Sequence, residues 1–203
     1  MEKTAIYAGT ALAAYLIGSI PFGYLIGRMR GVDVRTVGSK NIGATNVYRT
    51  VGHGWGLLAF LFDFLKGLLP VIAARCFLSD VSHIEVLAGV MAVVGHMYTC
   101  FMRFKGGKGI ATGFGMLVAL LPWLVLAAFA IFVVTVWISH YISLGSILAA
   151  AFLLVAVWFP ILGSPGTSDP VLCGVVAAVA VFAIYKHKSN IARLVKGCEN
   201  RIY

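Results

Sequence analysis

Met116-Leu117-Val118-Ala119-Leu120-Leu121-Pro122-Trp123-Leu124-Val125-Leu126 is the middle of an apolar run, 110 to 138, that carries no charged residue. A helix crossing the hydrocarbon core of a bilayer needs about 20 residues. The run is too long for one crossing and short for two of full length. Pro122 stands near its centre, where it lacks the N–H that would continue a helix and turns the preceding Leu121 away from helical backbone. Two short or tilted helices broken at Leu121-Pro122 are therefore expected, and this reading sets the parity of every other crossing.

The remainder of the chain has the same character. Its 203 residues are 61% hydrophobic and only 11% charged, with a mean hydropathy of +0.96, which excludes an ordinary soluble domain. Further apolar runs lie at 5–27, 55–78, 84–102, 141–163 and 170–186. With 110–138 crossing twice, the fold expected is an all-α integral membrane protein, a seven-transmembrane-helix bundle with some short or broken helices, in one domain over 1–203. Met1-Glu2-Lys3 is almost uncharged and the run after it continues to Ile26, as in a retained first helix rather than a cleaved leader. Thirteen of the 16 Lys and Arg fall in Arg28–Arg49, Arg103–Lys108 and Lys186–Arg201, which the positive-inside rule assigns to the cytoplasm. The connections around 80–85 and 163–169 hold acids and no cations and belong outside, as does the N-terminus; the C-terminus is inside. Basic charge placed beside membrane spans in this way is not the footprint of a nucleic-acid binder. Cys76, Cys100, Cys173 and Cys198 have no spacing that suggests disulfides or zinc.

On the N-terminal side of the central run stands Phe104-Lys105-Gly106-Gly107-Lys108-Gly109. It lacks the glycine spacing and the Ser or Thr of a nucleotide P-loop. A helix start preceded by Lys105 and Lys108 still suits an anion. Farther back, His96 ends the third apolar run, where a helix-end hydrogen bond is expected. Asp63 and Lys66, one turn apart on one helix face, are expected to pair, because either charge alone is costly in lipid; Lys66 has the alternative of reaching toward a bound anion. Between the first two spans lies Gly38-Ser39-Lys40-Asn41-Ile42-Gly43-Ala44-Thr45-Asn46-Val47-Tyr48-Arg49. Its hydroxyls, carboxamides, cations and glycines are the donors an oxyanion requires. In the first span, Ser19, Gly23 and Gly27 recur at the interval that lets a neighbouring helix approach closely, and Pro21 is expected to kink it and free a carbonyl.

On the C-terminal side, the polar stretch Ser139-His140-Tyr141-Ile142-Ser143-Leu144-Gly145-Ser146 is taken to face the cytoplasm with the basic C-terminus, which requires 110–138 to cross twice. The last helix continues into Tyr185-Lys186-His187-Lys188-Ser189-Asn190-Ile191-Ala192-Arg193. On one uninterrupted helix His187, Asn190 and Arg193 would share a face, offering a proton acceptor and an orienting amide. The inside segments are expected to gather into one cationic site. Only Asp33 and Glu199 bring carboxylates near it, too few to hold Mg for metal-assisted phosphate chemistry, so neither a metal nor a cofactor is expected. The paired aspartates of CDP-alcohol phosphotransferases and the His-Asp dyad of many glycerolipid acyltransferases are absent from the sequence.

Gly18-Ser19-Ile20-Pro21-Phe22-Gly23, Asn41-Ile42-Gly43-Ala44-Thr45-Asn46-Val47 with Arg49, Asp63-Phe64-Leu65-Lys66-Gly67, Gly95-His96 with Phe104-Lys105-Gly106-Gly107-Lys108-Gly109, and His187 with Asn190-Ile191 and Arg193-Leu194 occur in order over nearly the whole chain. Together they resemble the bacterial acyl-phosphate:glycerol-3-phosphate acyltransferase family (PlsY). The resemblance implies a multi-pass enzyme of the bacterial cytoplasmic (inner) membrane, with a periplasmic N-terminus and an active site facing the cytoplasm. Its implied reaction moves a fatty acyl group from acyl phosphate to the 1-hydroxyl of sn-glycerol 3-phosphate, the entry step of phospholipid biosynthesis, with possible functional coupling to an enzyme that makes acyl phosphate. Ser39, Asn41, Gly43, Thr45, Asn46 and Arg49 would hold phosphate, with Lys66, Lys105 and Gly107 in support. Lys108, His187 and Asn190 would serve catalysis, and Ser143 and Arg193 would complete the pocket. Two departures stand out: Lys40 where the family pattern has glycine, and Tyr98-Thr99-Cys100 where a proline-containing run is usual. A transporter for a phosphorylated metabolite is the rival from another class; it predicts polar residues through the bundle and an internal repeat, and the sequence has neither.

Overall fold

The computed structural model describes residues 2–159 and 169–202. It is built from helices α1 (Glu2–Ser19), α2 (Phe22–Met29), α3 (Ala44–Thr50), α4 (His53–Phe77), α5 (Ile84–Met97), α6 (Ile110–Leu120), α7 (Pro122–Ser139), α8 (Ile142–Ala156), α9 (Pro170–Lys186) and α10 (Lys188–Val195), with a short 3-10 turn at Cys100–Met102. Among the described residues, four stretches are long and apolar enough to span a bilayer: Glu2–Met29, His53–Phe77, Ile84–Met102 and Pro122–Ser139. The pair α9–α10, bent by 52°, is a fifth where the two are counted as one span, while Ile110–Leu120 and Ile142–Ala156 are shorter apolar helices. The break at Leu121-Pro122 falls where the proline requires it, with Pro122 at the start of α7. The outside connection expected around 163–169 lies outside the described residues except for Asp169. That side chain caps α9 by accepting from the N–H groups of Val171 (2.9 Å) and Leu172 (3.4 Å).

Two compact units make up the chain, Met1–Ala119 and Leu120–Tyr203. In the first unit, α1 lies against α5, and α4 packs on both α3 and α5. The α4–α6 contact is close, with Gly67 against the carbonyl of Thr112 and Gly115 against that of Phe64. Residues 32–42 run back beside α2 and bury Val34 and Ile42 with Ile26, Val47 and Ala59. This corrects part of the reading of the small-residue stripe. Gly23 and Gly27 admit this turn-rich segment, Gly23 meeting the Ile42 carbonyl and Gly27 the side chain of Val34, while the close helix approach is made at Gly18, against Ala92, and at Ser19, against Gly95, both of α5.

The second unit packs α8 between α7 and α9. Here too one expectation is corrected: the last helix is not continuous. It stops at Lys186 and restarts at Lys188 in a new direction, with His187 capping α10, its carbonyl accepting from Ile191 N–H (2.9 Å); Asn190 and Arg193, three apart on α10, keep the shared face expected of them, both reaching Glu199. Beyond α10, Gly197 takes a positive φ of 67°. Its N–H donates to Leu194 O (3.1 Å), and that of Cys198 to Arg193 O (2.9 Å). This is the Schellman arrangement, which needs glycine at that position. It folds the tail back along α10, where Ile202 N–H reaches His140 O (2.9 Å).

Candidate active site

In the first unit the polar loop is shaped by two carboxamides. Asn46 is 1% exposed. Its Oδ1 accepts from Ser39 N–H (2.8 Å), while Nδ2 donates to Val34 O (2.7 Å) and Val37 O (3.2 Å). Asn41 Oδ1 accepts from Gly43 N–H (2.8 Å), a turn in which the side chain imitates backbone. These two residues therefore act on the loop itself. Gly43, extended, precedes α3; Thr45 lies half-buried in its first turn and Arg49 half-buried in its last. Ser39 and Lys40 are exposed. Lys40 adopts φ 56°, the left-handed conformation that glycine takes freely and that costs an L-residue about 1–2 kcal/mol. The loop thus keeps the backbone path that glycine would favour. Nearby, the Asp33 carboxylate is tied to Arg35 at 2.6 Å. Hydrogen bonds from the Arg35 side chain and backbone hold its pKa at about 2, so it remains an anion balanced by its own partner.

The second polar segment of this unit folds over the end of α5. Gly106 N–H donates to Met97 O (3.1 Å) and Gly107 N–H to His96 O (3.1 Å). A side chain at Gly107 would collide with His96 Nε2. Close approach to α5 therefore explains both glycines, and the flanking Lys108 is half-buried while Lys105 is exposed. Thr99, the departure from the family pattern, is 1% exposed. It donates to Ser19 O (2.5 Å) and accepts from Phe101 N–H (3.2 Å). Lys66, expected either to pair or to reach an anion, does the first. Its Nζ lies 2.7 Å from Asp63 Oδ1 and donates to Ile20 O at 2.7 Å, a carbonyl at the Pro21 break that also accepts from Phe22 N–H (3.1 Å).

In the second unit, three of the expected residues meet around a carboxylate not counted among them. Ser143 Oγ (2.9 Å) and Asn190 Nδ2 (2.6 Å) both donate to Glu199 Oε1, and Arg193 Nε donates to Oε2 (2.6 Å). Glu199 is 7% exposed. Burial alone would raise its pKa, but the hydrogen bonds from Asn190, Arg193 and Ser143 outweigh it and hold the carboxyl below its ordinary value. The Arg193 charge is balanced in place. The sequence placed Glu199 near the site, but its hold on these three residues is legible only once the Gly197 turn is known, because it lies beyond the helix. His187 is buried; its Nδ1 lies 2.8 Å from Ala183 O, so Nδ1 carries the proton and, in the neutral ring, Nε2 carries the lone pair. Among the described residues, no three His, Cys, Asp or Glu side chains come together as metal ligands.

A helical membrane protein whose polar residues are collected in cation-rich, phosphate-suited segments is the class these features define. The family model for glycerol-3-phosphate acyltransferase matches residues 8–197, and the chain belongs to that family. It is 47% identical over 188 residues to the glycerol-3-phosphate acyltransferase of Geobacter sulfurreducens, covering 93% of each chain. To that of Trichlorobacter lovleyi it is 46% identical, again over 93% of each. Two solved structures are similar, both of PlsY (YgiH), an integral membrane glycerol 3-phosphate acyltransferase. The glycerol 3-phosphate form has a TM-score of 0.87 at 37% identity, over 97% of this chain and 96% of that one. The lysophosphatidic acid form gives 0.84 at 37% identity, over 97% and 95%.

Proposed function

We propose that this chain transfers a fatty acyl group from acyl phosphate to the 1-hydroxyl of sn-glycerol 3-phosphate, releasing 1-acyl-sn-glycerol 3-phosphate and inorganic phosphate for phospholipid biosynthesis. The observation that carries the reading is the likeness, along almost the full chain, to a structure described with glycerol 3-phosphate and again with lysophosphatidic acid, an acceptor and its acylated product. The chemistry asks for little beyond what these residues offer. Acyl phosphate is a mixed anhydride with a good leaving group. The glycerol hydroxyl oxygen attacks the acyl carbon, the bond to the phosphate oxygen breaks, and the hydroxyl proton passes to a base or to a phosphate oxygen. The protein must stabilise charge and position the reactants.

In the first unit, Ser39, Thr45, Arg49, Lys105 and Lys108 hold phosphate oxygens, with Asn41, Gly43, Asn46 and Gly107 shaping the segments that present them. In the second, His187 and Asn190 orient the glycerol hydroxyl, His187 through Nε2, and Glu199 holds Ser143, Asn190 and Arg193 in place. Residues 1–203 form one acyltransferase domain in the bacterial inner membrane, with seven crossings, a periplasmic N-terminus, and a cytoplasmic C-terminus and active site. The donor comes from an enzyme that makes acyl phosphate.

One observation favours the transporter reading instead: ionisable groups buried in a span, at Asp63 and Lys66, are a common mark of transport pathways. The Ile20 carbonyl on Lys66 supports a structural use of the pair. Purified protein in detergent, supplied with acyl phosphate and glycerol 3-phosphate, is expected to form 1-acyl-glycerol 3-phosphate. A carrier has no activity without a sealed compartment, so absence of product in detergent alongside uptake in vesicles would reverse the assignment.

A further inference from the structure

Three ionisable side chains lie buried at the centre of the first unit: Asp63 is 1% exposed, and Lys66 and His96 are each 4% exposed. His96 Nδ1 is 3.5 Å from the Asp63 Oδ1 that Lys66 approaches at 2.7 Å. Neither Asp63 Oδ1 nor His96 Nδ1 makes an aligned hydrogen bond. For stability alone this is a poor use of a buried site, since well-packed apolar residues do as well as or better than a buried ion pair. The three side chains are nevertheless packed in contact, and each end of the group is attached to a polar segment.

At one end, Lys66 Nζ holds Ile20 O (2.7 Å), which fixes where α2 starts after the break. Gly23, three residues on, lies against the carbonyl of Ile42 in the Ser39–Arg49 loop. At the other end, the His96 ring lies against Gly107, whose N–H donates to His96 O, so the imidazole sets the path into Lys108.

We infer that Lys66, Asp63 and His96 are positioning residues that fix the Ser39–Arg49 loop and the Lys105–Lys108 segment relative to each other. The inference rests on the acyltransferase reading above. Each segment keeps its own internal hydrogen bonds when the triad is broken, so binding survives, while the alignment that chemistry needs is lost.

The test uses full-length protein in detergent, with kcat expressed per glycerol 3-phosphate binding site counted by calorimetry, for wild type, His96→Asn and His96→Leu. The carboxamide nitrogen of Asn stands close to the Nδ1 position and can still face Asp63; Leu cannot, but it fills the buried site. The expected result is that His96→Leu keeps its thermal midpoint and a KM for glycerol 3-phosphate within about threefold, yet loses kcat by about tenfold or more, while His96→Asn recovers most of it. A purely structural clamp predicts the reverse order, Leu equal to or better than Asn, and that result overturns the proposal. So does loss of folding in both variants, or a rise in KM at unchanged kcat. The double variant Asp63→Leu with Lys66→Met provides a second reading: wild-type kcat in a folded sample contradicts the inference. Failure of wild type to transfer acyl groups is a different result, and it removes the underlying function together with the triad's role.

Discussion

The loop of the first unit and the tail cluster of the second are both polar, buried in part and rich in cations, but they are organised by opposite chemistry. Asn46 organises the loop with a neutral carboxamide bonded almost entirely to backbone, so the positive charge of Arg49 and Lys40 is not offset by the group that holds the loop together. Glu199 organises the cluster with a charge bonded to side chains, so Arg193 is balanced in the same step. A scaffold that adds no negative charge suits phosphate oxygens. A scaffold that cancels its cation suits the orientation of a neutral hydroxyl. We propose that the two polar regions divide accordingly, the loop as the anion-holding one and the tail cluster as the orienting one.

The sharpest way to break that contrast is Arg49→Ala, which removes a cation from the anion-holding side. Steady-state assays are expected to show kcat/KM falling by about a thousandfold, the size typical of losing a charged transition-state contact; near-normal turnover would take Arg49 out of its role. Asn46→Ala should be next, because it leaves Ser39 N–H, Val34 O and Val37 O to find other partners. At about 1 kcal/mol per bond, thermal or denaturant unfolding should show a loss of about 3 kcal/mol, with activity falling alongside.

Glu199→Gln sharpens the other side. It retains the shape, removes the charge and leaves Arg193 unbalanced; with Arg193 about one-third exposed and screened accordingly, a loss of about 1–2 kcal/mol is expected. The pH dependence has a definite sign. Folded Glu199 holds its proton less tightly than the unfolded chain does, so its contribution is present above the ordinary value of 4.5 and is lost as pH falls through the lowered one. Wild type should therefore lose more of its thermal midpoint on acidification than Glu199→Gln does.

His187→Gln tests whether the orienting side supplies an essential base. A drop in kcat of about tenfold is expected if the imidazole orients the hydroxyl while a phosphate oxygen takes the proton; full activity would remove His187 from the chemistry. The smallest effect is expected from Lys40→Gly, which relieves the left-handed backbone and should raise stability by up to about 1 kcal/mol, offset in part by the greater freedom glycine gives the unfolded chain.

The same contrast explains what could be read from the sequence. Prolines announced the breaks at Ile20-Pro21 and Leu121-Pro122, because a missing N–H acts wherever the chain is placed. Asp63 and Lys66 were readable as a pair, since one helical turn fixes their separation. The donors of the Gly38 to Arg49 loop suggest an oxyanion segment, but composition does not show that Asn41 and Asn46 also shape the loop through their own hydrogen bonds. The glycines of Lys105-Gly106-Gly107-Lys108 suggested phosphate, whereas their close approach to His96 is a tertiary fact. Periodicity gave the common face of Asn190 and Arg193 but not the bend at His187, and Glu199 was visible as a carboxylate near the site but not as the group that holds Asn190, to which it returns only through the turn at Gly197.

The most direct measurement combines purified protein in detergent with labelled acyl phosphate and glycerol 3-phosphate, following both products. One phosphate released for each 1-acyl-glycerol 3-phosphate formed, with release dependent on the acceptor, is the predicted result. Acyl phosphate left intact under conditions where an acyl thioester serves as donor, or phosphate released without acylated product, would contradict it.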